Sequence, residues 1–211
     1  MRPAILITCL LMASHGAAGA QLQELFSRHV KVVRPQGKFA GQLIKVQPGS
    51  GSGWREVAEP GAGFRISIPS SATIGPEKAG NRVLRAVLAE TRLRPFPVIR
   101  VDSFAPKPRE PDTIDADYVE EYARQYPEQS GLERFTVTDR GLVLKGKKQA
   151  FAMVGGTYFQ DGKPAYRVQW AYLSKDRQLF ITFDCAEDLW PDYQESAARI
   201  LLSLNLEPER R

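Results

Sequence analysis

Histidine and cysteine, the residues that most often serve as bases, nucleophiles and zinc ligands, are scarce in this sequence. The 211 residues include two of each: His15, His29, Cys9 and Cys185. A zinc site takes three or four such ligands, and a Ser-His-Asp or Cys-His arrangement needs a histidine beside its nucleophile. His29 precedes the regular part of the chain. The sequence therefore argues against zinc sites and against histidine-assisted nucleophiles.

Cys185 lies in an apolar stretch, residues 180–186, whose pattern predicts a strand. Two interpretations are open for its thiol. It is either a small buried hydrophobe or a reactive nucleophile, which requires a neighbouring base or cation. The surrounding sequence supplies no base, so the buried interpretation is favoured.

Carboxylates offer the remaining chemistry. Asp184 ends the same strand, and Glu187 and Asp188 follow it. Because paired carboxylates can hydrolyse glycosidic bonds without histidine, a hydrolase that uses Asp184 with either Glu187 or Asp188 is one hypothesis. A second acidic group consists of Asp112, Asp115, Asp117, Glu120 and Glu121. It lies at the start of a predicted helix, where negative charge is favourable, and this explanation is preferred to a cation site.

The first 20 residues have the three parts of a secretory signal peptide. Arg2 supplies the positive start, residues 4–12 form a short apolar core, and residues 18–20 give the small cleavage pattern Ala-Gly-Ala. The core is much shorter than the roughly 20 residues that span a bilayer. Cys9 lies inside the core instead of after the cleavage site, which argues against lipidation. The sequence predicts an exported protein without a transmembrane segment, periplasmic in preference to extracellular.

The charge balance is mildly basic. The chain has 29 Lys and Arg against 24 Asp and Glu, and loss of Arg2 with the signal leaves a net charge of +4. Charges of both signs are interspersed, whereas nucleic-acid binders concentrate basic residues on one face. No nucleic-acid partner is expected. Loss of the signal also removes Cys9 and His15, so Cys185 has no partner for an intramolecular disulfide.

Residues 21–61 are predicted to form a flexible N-terminal arm, because their apolar residues occur as isolated islands. Residues 48–53, Pro-Gly-Ser-Gly-Ser-Gly, have the composition of a flexible linker. They are not a phosphate-binding loop, since Trp54 and Arg55 follow where that motif needs Lys and Ser or Thr.

From residue 62 the pattern becomes regular and predicts one domain that extends to residue 206, with a charged tail at 207–211. Alternating apolar residues predict strands over 64–69 and 98–104. Further strands are predicted over 82–90, which also suits a helix, and over 148–158, 165–173 and 178–186. Residues 135–138 and 142–144 are predicted as two short strands or as one bent strand. Gly155-Gly156 predicts a bulge or a close backbone approach, and Asp161-Gly162 predicts a hairpin turn.

Two helices are predicted. The first begins at Thr113, which can cap it, and ends at Pro127; its apolar stripe consists of Ile114, Tyr118, Val119, Tyr122, Ala123 and Tyr126. The second begins at Pro191, a residue that suits the first helical position. Its stripe consists of Tyr193, Ala197, Ile200, Leu201 and Leu204.

Three passages resemble the PsbP-like family, which includes the DcrB-like envelope proteins. They are the phenylalanine-led strand 64–69 that ends in proline, the strand and turn run 149–186, and the helix that ends Ile-Leu-Leu-Ser-Leu at 200–204. The resemblance covers residues 60–206. It implies an α+β sandwich, an antiparallel sheet of about six strands with helices packed on its faces. It implies an accessory or binding role and adds no catalytic residue.

The sequence therefore favours a non-enzymatic, exported accessory protein that contacts an envelope protein and carries no cofactor or metal. The alternative is a periplasmic carrier of a small apolar ligand held between sheet and helix. Candidate contacts are the basic residues Arg140, Lys145, Lys147 and Lys148, interpreted as one loop, and the aromatic residues Tyr158, Tyr166, Trp170 and Tyr172. Each set has a simpler explanation, as a solvated turn and as strand packing respectively.

Overall fold

The alternating strand patterns assemble into two antiparallel sheets in a computed structural model. It describes residues 30–43, 45–46, 48–49, 51–75, 80–106, 114–146 and 149–207. The predicted signal peptide, His29, Lys147 and Lys148 lie outside the described residues.

The described elements follow in chain order. They are β1 (Val30–Gln36), α1 (Lys38–Gln42), β2 (Trp54–Glu59), β3 (Phe64–Pro69), β4 (Thr73–Ile74), β5 (Arg82–Val87), β6 (Val98–Phe104), α2 (Ala116–Gln129), β7 (Glu133–Lys145), β8 (Gln149–Gln160), β9 (Lys163–Leu173), β10 (Gln178–Ala186), a 3₁₀ turn (Glu187–Leu189), α3 (Trp190–Ser203) and β11 (Asn205–Leu206).

The larger sheet has eight strands in the order β1-β7-β8-β9-β10-β6-β5-β4, and the smaller one has the order β11-β3-β2. The α+β class and the antiparallel pairing are confirmed. The expected strand number of about six is wrong: β1 and the two-residue β4 extend the two edges of the large sheet. The predicted strand 64–69 belongs to the small sheet instead.

Each face of the large sheet carries its own core, because successive strand residues point to opposite faces. On one face, Leu179, Ile181 and Phe183 of β10 share a buried cluster with α3 and with the apolar residues of β3. On the other face, Val119 and Ala123 of α2 pack over β7 and β8. Helices therefore cover both faces, as the resemblance implied.

The flexible arm predicted over 21–61 differs from the structure. Within that range, β1 pairs with the outer edge of β7, and β2 pairs with β3. Phe39 and Leu43 of the α1 region are buried in the main core. The start of the predicted linker contacts α3, because the Gly49 amide donates to the carbonyl of Arg199 at 3.0 Å, whereas residues 51–53 are exposed. The apolar islands look unconnected in sequence because their partners lie about 100 residues away in the chain.

Local signals set most element boundaries. The first helix begins after Asp115, whose carboxylate accepts from the Tyr118 amide at 2.8 Å, and Thr113 lies outside the described residues. Pro127 lies inside this helix instead of ending it. At the predicted hairpin, Asp161 and Gly162 both have positive φ, as a type I′ turn requires. Gly156 allows a close approach, since an added Cβ would overlap the carbonyl of Thr136.

Candidate functional site

Three neighbouring strands present polar side chains on the face that α2 covers only in part. The register places Arg100 of β6 opposite Thr182 of β10, and Asp184 of β10 opposite Arg167 of β9. Residues two apart along a strand share a face, so these side chains form one patch. We call them, together with Gln169, the polar layer.

Asp184 is the centre of the polar layer, and its side chain is only 3% exposed. Arg167 binds it through two guanidinium nitrogens, Nε at 2.6 Å and Nη2 at 3.2 Å. Arg100 donates to Oδ2 and Tyr158 donates to Oδ1 at 3.1 Å. A buried charge is tolerated when it is paired and hydrogen-bonded. The carboxylate is therefore fully engaged.

The rest of the polar layer is joined to α2. The Tyr122 hydroxyl donates to Gln169 Oε1, and Gln169 Nε2 donates to Thr182 Oγ1 at 2.8 Å. The Tyr126 hydroxyl lies close enough to Arg167 for the guanidinium charge to act on its pKa. The helix therefore meets the sheet at a polar, charged surface, where an apolar contact would be usual.

Acid–base chemistry is suppressed here. Burial, reinforced by the Asp184 charge, raises the pKa of Tyr158. Burial also raises the pKa of Tyr122 and of Tyr126. Burial works to lower the pKa of Arg167, but the charge and hydrogen bonds of Asp184 raise it above its ordinary value. Every one of these groups keeps one protonation state at neutral pH, which does not suit proton transfer.

A cleft of about 550 Å³ opens between α2 and strands β6 and β10, beside the polar layer. This volume is in the range of ligand sites in proteins. Its lining combines aromatic rings with amides and carboxylates: Asp102, Phe104, Tyr118, Glu121, Tyr122, Gln125, Tyr126, Gln129, Ser130, Arg167, Gln169 and Phe180. We call it the Tyr–Gln cleft.

The helix wall of the Tyr–Gln cleft carries two parallel rows, because residues four apart stack on one helix face. One row consists of Tyr118, Tyr122 and Tyr126, and the first two rings are stacked at 5.9 Å between centroids. The other row is a hydrogen-bonded ladder. Gln129 Nε2 donates to Gln125 Oε1 at 2.6 Å, and Gln125 Nε2 donates to Glu121.

The sheet wall supplies a second aromatic pair. The rings of Phe104 and Phe180 meet edge to face at 5.6 Å between centroids. Phe104 is 37% exposed, one of only three large apolar side chains of the described residues to be so open. Asp102, on the same wall, pairs with Arg82 at 3.4 Å. Aromatic rings therefore face each other across the opening.

The aromatic residues predicted as partner contacts do not form a surface. Tyr158, Tyr166 and Trp170 are buried, and Tyr172 is half-buried against Phe151. Tyr158 faces α2, whereas Tyr166 and Trp170 point to the α3 face and belong to the main core. The prediction of a contact role is wrong for the three buried side chains, because strand alternation placed them in the two cores.

The basic residues predicted as one loop contact are also placed differently. Arg140 and Lys145 belong to β7. Arg140 pairs with Glu120 of α2 at 2.9 Å, and Lys145 donates to the carbonyl of Leu204. Both cations bind elements of this chain, while Lys147 and Lys148 lie outside the described residues.

The two catalytic alternatives lack support from the geometry. Cys185 is fully buried, and burial raises its pKa, so the thiol behaves as a small hydrophobe. Asp184 is held by two guanidinium groups, while Glu187 and Asp188 are exposed on the 3₁₀ turn. Within the residues that the structure describes, no three His, Cys, Asp or Glu side chains are grouped to hold a metal ion. No helix of that same part of the chain is long and apolar enough to cross a membrane.

Sequence reasoning missed most residues of the site, among them Arg100, Arg167, Gln169, Phe104 and Phe180. One signal was present: Arg167 and Gln169 alternate with apolar residues inside a strand that is covered on both faces. A charge in such a strand needs a buried partner. The partner itself comes from β10 and depends on register, which the sequence does not display.

No protein-family model and no curated protein sequence matches this chain. Its structure is similar to that of cyanobacterial PsbP (CyanoP) from Synechocystis sp. PCC 6803, with a TM-score of 0.56 at 8% identity over 74% of this chain and 94% of that one. It is also similar to LpqN, a protein involved in cell envelope biogenesis of Mycobacterium tuberculosis, with a TM-score of 0.50 at 16% identity over 74% and 91% of the two chains. These matches confirm the fold that the sequence resemblance implied.

Proposed function

We propose that this chain, which has the PsbP-like fold, is an exported accessory protein of the cell envelope that acts by binding a partner protein. The observation that carries the proposal is the contrast between two adjacent regions. In the polar layer, every ionisable group is engaged with another group of the chain. Beside it, the Tyr–Gln cleft is open and lined by rings and amides.

The cleft has the composition of a recognition surface. Tyrosine, phenylalanine and other aromatic residues supply large contact areas and are enriched where proteins bind partners. The cleft concentrates four partly exposed rings, those of Phe104, Tyr118, Tyr122 and Phe180. The polar layer beneath it fixes the helix to the sheet, so the two walls are held in place before binding.

Export and an envelope role rest on two further arguments. Residues 1–20 have the pattern of a secretory signal, and a protein of the same fold, LpqN, is involved in cell envelope biogenesis. A carrier of an apolar ligand is a weaker alternative. Amide and carboxylate groups interrupt the lining of the cleft along its length, and native mass spectrometry of the purified protein separates the two functions.

Affinity capture with the mature protein tests the proposal. We expect an envelope fraction of the producing organism to yield one enriched protein, lost with Phe104→Ala and with Tyr118→Ala. Ile74→Ala is the matched control, because Ile74 is 41% exposed and lies on β4, outside the cleft. The proposal is contradicted if wild type and both cleft variants capture the protein equally well. It is also contradicted if the mature protein co-purifies with a small apolar molecule and captures no protein.

A further inference from the structure

We propose that the large sheet binds a phosphate monoester through three arginines of neighbouring strands. Arg82 and Arg85 belong to β5 and Arg100 belongs to β6; we call them the arginine cluster. The inference goes beyond the proposed function, because it concerns a small anionic ligand and a surface beside the Tyr–Gln cleft. Three observations on the described residues support it: the open sheet face, the backbone feature that gathers the arginines, and their excess charge.

The arginine cluster lies on a part of the sheet that α2 leaves uncovered. α2 packs over β7 and β8, and the Tyr–Gln cleft separates it from β6 and β10. The side chains of Arg82 and Arg100 are 29% and 24% exposed, and Arg85 is half-buried as well. Water and small ions can therefore reach the cluster, while partial burial protects its charges from screening by salt.

A β-bulge places the three arginines on one face. Arg82 and Arg85 are three residues apart, and in a regular strand they would point to opposite faces. The pairing of β5 with β6 shifts by one residue between Arg82 and Leu84, which is the mark of a bulge. As a result Arg82 lies opposite Asp102 and Arg85 lies opposite Arg100, so both β5 arginines share the face of the polar layer.

This face has an excess of positive charge. The cluster and the adjoining polar layer together contain four arginines and, with the neighbouring Asp102, two carboxylates: Arg82, Arg85, Arg100, Arg167, Asp102 and Asp184. Four positive and two negative charges leave +2. Asp184 is shared by two guanidinium groups, and Arg85 forms no ion pair with any residue that the structure describes.

The two arginines at the centre of the excess charge lie directly opposite each other. Like charges at such positions are destabilising, and the two guanidinium groups turn to opposite sides. Arg100 donates to Asp184 on the β10 side, whereas Arg85 Nη1 lies on the β4 side, 3.5 Å from the point where Gly75 would carry a Cβ. Arg100 Nε is buried and has no hydrogen-bond partner among the described residues, which is rare for a buried donor. An anion between the two groups would replace their repulsion with attraction to both.

The chemistry of the cluster defines the ligand. Guanidinium groups only donate hydrogen bonds, and they pair best with carboxylate and phosphate oxygens. A phosphate monoester carries a charge close to −2 above its second pKa of about 6, which matches the excess. A carboxylate or a phosphodiester carries −1 and would leave half of it uncompensated. Cβ atoms of directly opposite residues are only about 5 Å apart, so one compact dianion suits the pair better than two separated charges.

The test is a titration of isotope-labelled mature protein with glycerol 3-phosphate at about pH 7.5, where the monoester is a dianion, followed by NMR of the arginine Nε–H groups. Inorganic phosphate tests the free ion, dimethyl phosphate tests a monoanion, and sodium chloride keeps the ionic strength constant because salt screens charges. We expect saturable shifts of the Arg85 and Arg100 signals. Glycerol 3-phosphate should bind within about threefold of inorganic phosphate and at least about tenfold more tightly than dimethyl phosphate.

Two variants with opposite effects locate the site. Arg85→Gln should weaken glycerol 3-phosphate binding about tenfold, because it removes the arginine that has no ion pair. Asp102→Asn should tighten binding severalfold, because it removes a carboxylate beside the cluster. Arg65→Gln is the matched control, since Arg65 is 50% exposed and lies on the small sheet.

Several results would overturn the inference. They are the absence of saturable shifts, equal binding of dimethyl phosphate, wild-type affinity in Arg85→Gln, and weaker binding in Asp102→Asn. Binding of inorganic phosphate without binding of glycerol 3-phosphate would also overturn it, because the ligand would then be the free ion. None of these results bears on capture of a protein through Phe104 and Tyr118, so the two proposals fail separately.

Discussion

Replacing Asp184 with alanine removes the centre of the polar layer and leaves two guanidinium groups without their carboxylate. The Asp184 side chain is 3% exposed, that of Arg167 is 13% exposed and that of Arg100 is 24% exposed. Removing one partner of a buried ion pair lowers the free energy of unfolding by about 3–5 kcal/mol. Because water can reach Arg100 in part, we expect the lower end of the range, about 3 kcal/mol. Domains are stable by only about 5–15 kcal/mol, so the loss is large.

The assay is urea unfolding followed by tryptophan fluorescence, with the slope and the midpoint fitted together. Asp102→Ala is the matched control on the same sheet face. Its single ion pair with Arg82 is 3.4 Å long and more exposed, so the free energy of unfolding should fall by about 1 kcal/mol at most. If Asp184→Ala destabilises the protein no more than Asp102→Ala does, the polar layer does not hold the sheet and helix as described. Asp184→Asn, which keeps the shape, supplies the same comparison if the alanine variant does not fold.

Three further outcomes are expected. Burial lowers the pKa of Lys145 to about 8, whereas the unfolded chain keeps its proton to about 10.4. The free energy of unfolding of wild type, measured relative to that of Lys145→Met, should therefore rise as pH increases between these values. Equal pH slopes in the two proteins contradict this. Gly156→Ala should lower the free energy of unfolding by about 1–3 kcal/mol, because the added methyl group would overlap the Thr136 carbonyl. Gly61→Ala, with open space around it, should change the free energy of unfolding in urea by less than about 0.5 kcal/mol. Cys185 should react with a disulfide reagent only in concentrated denaturant, and rapid labelling of the folded protein would show that its thiol is accessible.

The parts of the fold that depend on neighbouring residues were predictable from the sequence. Period-two alternation located β6, β9 and β10, and the Asp161-Gly162 pair located the hairpin between β8 and β9. The stripe of tyrosines located α2, although its start moved to the residue after Asp115, whose side chain caps it.

The parts that depend on distant residues were not predictable. In the sequence β1 is only a short apolar island. It forms a strand because it pairs with the edge of β7. The polar layer also depends on distant residues. In the sequence Asp184 is only a polar residue within a strand, and its partners Arg167 and Arg100 are brought to it by the pairing register of the sheet. The aromatic residues of the sheet were assigned to a surface because alternation gives two faces without saying that both are covered.

Site-specific photo-crosslinking in the producing cells tests most directly the central claim that this protein acts by binding a partner through the Tyr–Gln cleft. A photoreactive amino acid is placed at Gln129, at the exposed end of the cleft, or at Ala58, exposed on β2 of the small sheet. We expect irradiation to join one envelope protein to the chain from position 129 and not from position 58. A crosslink from position 58 alone, or none from position 129, would contradict the account.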